Sequence, residues 1–219
     1  MTRVEIAQML LAMVLTAIAG WVDAVGFLRL GGLFVSFMSG NTTQMAVAFA
    51  QGRLMEGWAA AGIIILFVMG VFAGRLVAES SGAWRLPAVL ILTAALLSIA
   101  VLLTLAFDRA ATVTATAAIV LAMGVQNAAM TRVGEAKASL TYVTGTLVRV
   151  GETLADALSG TGRASAPLPY IAMWTGLALG ALAGATAYDR FGLSALTGPA
   201  AAAALLALLL GGLVRRANP

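Results

Sequence analysis

The chain of 219 residues is 61% hydrophobic and 10% charged, with a formal net charge of +4 at pH 7. A water-soluble domain carries about 25% charged residues, so this composition cannot clothe a core in polar surface and points to a polytopic membrane protein. The lack of His and Cys removes the usual zinc ligand sets, thiol catalysis and His-dependent serine hydrolysis, and no GxGxxG, Walker or EF-hand spacing marks a cofactor or an ATP-driven pump.

Twelve of the 13 basic residues are Arg, nearly all between apolar runs. They read as membrane-flanking arginines, and nothing here calls for nucleic acid as a partner. Apolar runs near the length that crosses a bilayer as a helix, about 20 residues, fall at 5–28, 33–50, 57–77, 86–106, 110–130, 139–158, 168–187 and 193–214.

The first run follows Arg3, and Ala17-Ile18-Ala19 imitates a signal-peptide cleavage site. An echo of the run later in the chain argues that it is retained. It contains Asp23, and an ionisable group inside an apolar run is a functional candidate by default. The competing role is a cap or an ion pair near the interface, for instance with Arg29.

The second run holds Ser39-Gly40-Asn41-Thr42-Thr43-Gln44, a cluster of hydrogen-bonding groups where lipid is expected. Glycine weakens a helix locally, and a break here would free backbone groups that flanking Ser39, Asn41 and Thr42 could supplement. Taken singly, Ser36, Ser39 and Thr43 also suit helix packing, worth about 0.6 kcal/mol per hydrogen bond. Gly70-x-x-x-Gly74 in the third run and Gly176-x-x-x-Gly180-x-x-x-Gly184 in the seventh read as packing seams. Trp58, Trp84 and Trp174 read as interfacial anchors.

The fifth run ends near Gln126-Asn127. The sixth carries Thr141, Tyr142, Thr144-Gly145-Thr146, Arg149, Glu152 and Asp156. The spacing from Gly145 through Arg149 and Glu152 to Asp156 places all four on one helix face, and Arg149 and Glu152 can pair at i, i+3. The expected site is therefore polar and at membrane depth. Asp23, Ser39, Gly40, Asn41 and Thr42 come from one half of the chain. Gln126, Asn127, Thr141, Tyr142, Thr144, Gly145, Arg149 and Glu152 come from the other.

The two halves match. Gly20-Trp21-Val22-Asp23-Ala24 aligns with Gly124-Val125-Gln126-Asn127-Ala128, and Val35 through Asn41 aligns with Leu140 through Thr146. Gly70 through Gly74 aligns with Gly180 through Gly184. These offsets of 104, 105 and 110 imply one membrane domain over 1–219 made of two repeats, about 5–106 and 110–214.

The motif Gly20-x-x-Asp23-x-x-x-Phe27, Phe34 with Ser39-Gly40-Asn41, Met123 through Ala128, and Thr141 through Thr146 resemble the YoaK-like family of small bacterial membrane proteins of unknown function. Ser39 stands where that family more often has Thr, a change that keeps the hydroxyl. The resemblance spans nearly the whole chain and implies a bacterial inner-membrane protein. It supplies no substrate.

The expected fold is an all-α membrane protein, a duplicated helical bundle of six transmembrane helices plus two polar embedded helices, 33–50 and 139–158. Charges favour it. If the two polar runs enter and return, Arg3, Arg75, Arg85, Arg132, Lys137, Arg149, Arg163, Arg215 and Arg216 share one side, against Arg29, Arg53, Arg109 and Arg190 on the other. That bias places both termini in the cytoplasm and makes the halves inverted repeats. The alternative is eight full crossings, 4+4, which splits the loop basics evenly and leaves Arg149 inside. The expected function is a secondary transporter or exporter of a small polar or charged molecule, with a channel as the alternative. An intramembrane enzyme or an assembly subunit ranks lower, and glycine-lined helices allow a homodimer.

Overall fold

The computed structural model describes residues 2–106, 112–130 and 143–217. Those residues form eight α-helices with no strand among them: α1 (Arg3–Arg29), α2 (Met38–Ala50), α3 (Leu54–Ser80), α4 (Arg85–Ala106), α5 (Thr112–Met130), α6 (Val143–Leu158), α7 (Leu168–Phe191) and α8 (Thr197–Ala217). Local chemistry sets several of the ends. Thr2 accepts from the Glu5 amide at 3.2 Å while the Glu5 carboxylate accepts from the Thr2 amide at 2.8 Å, a capping box that starts α1. α7 stops where Gly192 turns to φ 57°.

Helix length separates two classes. Helices α1, α3, α4, α5, α7 and α8 have 27, 27, 22, 19, 24 and 21 residues. Helices α2 and α6 have 13 and 16. At a rise of 1.5 Å per residue α2 reaches only about 20 Å and the described part of α6 about 24 Å, less than a hydrocarbon core of about 30 Å. Val4–Arg29, Leu54–Ser80, Gly82–Ala106 and the 49-residue stretch Leu168–Arg216, which holds α7 and α8, are long and apolar enough to span a membrane; Val113–Ala128 of α5 is a shorter apolar stretch. The outward faces are greasy too, with Phe72, Leu182 and Leu208 at 67%, 66% and 73% exposure. Such a surface is stable only against lipid. This is an all-α membrane protein.

The core fixes helix directions. Ala12 and Leu15 of α1 pack with Leu90 of α4 and Ala207 of α8. One step along, Ile18 packs with Ala94 and Ala203, then Val22 and Val25 with Leu97, Ala100 and Ala200. Residue numbers rise together in α1 and α4 and fall in α8, so α1 and α4 are parallel. A tight turn at 81–84 folds α3 back against α4. Successive long helices α1 and α3 therefore run in opposite directions, and the chain between them, α2 included, leaves and returns at the same end. Eight crossings would make α1 and α3 parallel.

Two seams hold the bundle. Gly176, Gly180 and Gly184 of α7 lie on the backbone of Met13, Ala17 and Trp21, and Gly70 and Gly74 of α3 lie on Leu121 and Val125. A Cβ on Gly184 would sit 2.5 Å from the Trp21 carbonyl oxygen, and one on Gly74 would sit 2.8 Å from Val125 Cα. Only glycine allows such approach, the small-residue packing that the sequence suggests. In both seams the paired helices are parallel.

Candidate functional site

After α1 ends at Arg29, Gly31 and Gly32 adopt φ 64° and 106° and turn the chain back along the helix it has just left. Residues 33–37 descend in irregular conformation, and α2 then climbs back beside α3. The sequence suggests helix from 33 with a break at Ser39-Gly40-Asn41. The break instead lies earlier, and Ser39, Gly40 and Asn41 form the first turn of α2.

Three side chains explain the difference. Asp23 Oδ1 accepts from the Val35 and Ser36 amides, each at 2.8 Å, and Oδ2 accepts from the Ser36 hydroxyl at 2.7 Å. Asn41, fully buried, donates to the Phe34 carbonyl at 2.6 Å and accepts from the Phe34 amide at 2.9 Å. Gln44 donates to the Gly32 carbonyl at 2.8 Å. Backbone that is not helical survives at membrane depth only when its polar groups find partners within the protein, and these side chains supply them. Gly26 makes room, since a Cβ there would meet the Val35 side chain at 2.6 Å.

The descending segment builds a cavity of about 500 Å³ between α1 and α7. Gly20, Ala24, Leu177, Ala181 and Ala185 line it alongside Asp23, with Phe27, Leu28, Phe34 and Phe37 on one side and Val143, at the start of α6, on another. Phe27, Phe34 and Phe37 form a row, with centroids 4.9 and 5.3 Å apart. Gly40 underlies that row: a Cβ on it would meet the Phe37 ring at 2.7 Å. A second cavity, of about 380 Å³, lies towards the hairpin's open end between residues 30–33, α2 and α3 and includes Gln44, Arg53 and Glu56. Arg53 and Glu56 are paired there.

The other expected site residues are dispersed. Ser39 and Thr42 are exposed, and the Thr42 hydroxyl donates to the Met38 carbonyl of its own helix at 2.8 Å. Gln126, fully buried, donates to the Leu15 carbonyl at 2.8 Å, while its own Oε1 has no partner among the described residues. Asn127 donates to the Met123 carbonyl at 3.0 Å. On α6, Thr144 is exposed, Gly145 is half-buried and Thr146 is buried. Arg149 and Glu152 form the expected pair at 3.0 Å, exposed on the surface. Thr141 and Tyr142 lie outside the described residues. Among the described residues no three of His, Cys, Asp and Glu gather as metal ligands would. Val35 and Gly26 also belong to the anchor, and the one mark they leave in the sequence is a glycine three residues after Asp23.

The fold and the anchored hairpin define a multi-pass membrane protein with a short helix that enters and returns. Residues 11–209 match the family described as "Protein of unknown function (DUF1275)", and the chain belongs to that family. It is 34% identical over 189 residues to UPF0700 transmembrane protein RA0705 of Rhizobium meliloti (strain 1021), covering 86% of this chain and 80% of that protein. No solved structure matches.

Proposed function

We propose that this chain is a secondary transporter in a bacterial inner membrane, with its site in the cavity beside Asp23. The observation that carries this reading is the re-entrant hairpin. An irregular segment pinned at membrane depth, followed by a half-length helix whose N-terminus points inward, is how discontinuous helices build substrate sites in secondary transporters. The YoaK-like resemblance fits the bacterial inner membrane of this reading. The site is taken as a binding site and not a catalytic one.

The seams support an origin by duplication. Gly20 approaches Leu177 and Ala181, while Gly124 approaches Phe67 and Val71. The glycines differ by 104 in number and their partners by 110, the same offsets that align the two halves. Gly180 on Ala17 repeats as Gly70 on Leu121, and Gly184 on Trp21 repeats as Gly74 on Val125. The first long helix of each half thus packs on the second long helix of the other. With α1 and α3 opposed, the halves relate as inverted repeats, the plan on which alternating access is commonly built.

The test is flux into proteoliposomes holding the full chain, over a panel of amines, organic anions, sugars and inorganic ions, with and without a proton gradient. A carrier gives saturable flux of at least one class, abolished when Ala185→Leu fills the cavity. Flux linear in concentration would replace the carrier with a channel, and no flux of any class would end the transport reading.

A further inference from the structure

We infer that the cavity between α1 and α7 takes a hydrophobic organic cation, its positive centre towards Asp23 and its apolar body against Phe27, Phe34 and Phe37. The inference rests on the transport reading for its interest but not for its evidence, which is the cavity wall. Among the described residues that wall is aliphatic and aromatic, and Asp23 is the one charged residue in it. None of the ion pairs among the described residues includes Asp23. Its three bound donors, from Val35 and Ser36, are neutral groups. The α2 N-terminus adds roughly +0.5 charge at most, so the charge of an ionised Asp23 is only partly balanced. Oδ2 accepts one hydrogen bond, which leaves it a lone pair for a further contact.

Ligand classes sort by what they lose on entry. A small metal cation would exchange its water shell for one carboxylate and a greasy wall, far too few oxygens to replace it. An anion would face Asp23. A neutral polar solute would strand its hydroxyls or amides against apolar atoms. A cation whose charge is spread over or shielded by hydrocarbon loses little hydration, and it gains the carboxylate together with aromatic faces suited to cation–π contact. Phe27 and Leu28 line the cavity and are also 40% and 45% exposed on the bundle's outer face. A molecule dissolved in the bilayer can therefore reach the site from the side. This narrows the expected small polar or charged solute to a lipophilic cation.

The experiment is equilibrium dialysis of the full chain in nanodiscs, against matched empty nanodiscs, with tetraphenylphosphonium and tetraphenylborate, which share a shape and differ in charge. Tetraphenylphosphonium should bind saturably, and tighter than tetraphenylborate by about tenfold or more. Asp23→Asn should erase that preference. Ala185→Leu, which leaves every Asp23 hydrogen bond in place, should abolish saturable binding while the thermal transition is retained. Equal binding of the two ions, no saturable binding of the cation, or cation binding that survives Ala185→Leu would each overturn the inference. Flux separates the two claims. Tetraphenylphosphonium bound while no solute of any class is carried ends the transport reading and leaves the site; saturable flux of other solutes without cation preference does the reverse.

Discussion

Asn41 serves Phe34 as a neighbouring strand would, offering a carbonyl to its amide and an amide to its carbonyl. The polar character of the Ser39–Gln44 stretch was legible in the sequence; which of its members bind the backbone was not. In a helix, the side chains of residues 41 and 44 share one face while Thr42 points elsewhere, but nothing in the sequence says which face meets the returning chain. Asn41→Ala should therefore be costly, because it strands two buried backbone groups at about 1–3 kcal/mol each. Thr42→Ala loses a bond within its own helix and should change stability by about 0.5 kcal/mol or less. Thermal unfolding in detergent compares them, and equal losses would refute the assignment. Asp23 allows a sharper separation. Asparagine at 23 can still accept from the Val35 and Ser36 amides and meet the Ser36 hydroxyl, so Asp23→Asn removes charge and spares the anchor. Asp23→Ala removes both. The asparagine variant should keep most of the thermal stability that the alanine variant loses, and a cation- or proton-coupled flux should fail in both. Pairing with Arg29, considered from sequence, is not needed to explain the carboxylate.

At the scale of elements, six of the eight runs appear close to where hydrophobic periodicity and length put them, because a bilayer-spanning helix declares itself by composition alone. The run from 33 does not. Its first five residues are as apolar as a helix start, yet the carboxylate of Asp23 takes the amides of residues 35 and 36, a contact across 12 and 13 positions that no local window contains. The glycine seams were legible as spacing but not as partners. Their partners make them testable. On Gly180, a Cβ falls on the backbone of Ala17, and on Gly124 it falls on that of Phe67. Backbone cannot step aside as a side chain can, so Gly180→Ala and Gly124→Ala should each part a helix pair and cost about 1–3 kcal/mol or more. Gly62, on the same helix as Gly70, has nothing within 4 Å of a built Cβ. Gly62→Ala should be neutral or slightly stabilising, since alanine is the better helix former. If all three variants melt alike, close backbone contact is not what holds these helices.

For the whole molecule, the sequence left six and eight crossings nearly balanced, because an uncharged run of 20 residues from Leu33 to Gly52 is long enough to span. Packing decides it: α1 runs parallel to α4 through three successive layers, which an even number of crossings per half forbids. One end of the bundle then carries the start of α1, the α3–α4 turn and the end of α8. There Arg215 lies 5.5 Å over the Trp84 ring. Arg75, Arg85, Arg163, Arg215 and Arg216 belong to that end, while Arg29, Arg53 and Arg190 belong to the other. The positive-inside rule predicts that the richer end is cytoplasmic. Because the chain has no Cys, single cysteines report without background. Gly31→Cys is sterically open, with nothing within 4 Å of a Cβ at φ 64°, at a strain of about 1–2 kcal/mol. In intact cells, Gly31→Cys and Arg53→Cys should react with an impermeant maleimide added outside, and Ser81→Cys should react only after lysis. Labelling of Gly31→Cys from the side of Ser81→Cys would mean that the chain crosses between 31 and 53, and the re-entrant hairpin would fall. Labelling of all three with sides exchanged would leave the hairpin intact and reverse the orientation, showing that the arginine bias does not govern how this chain inserts.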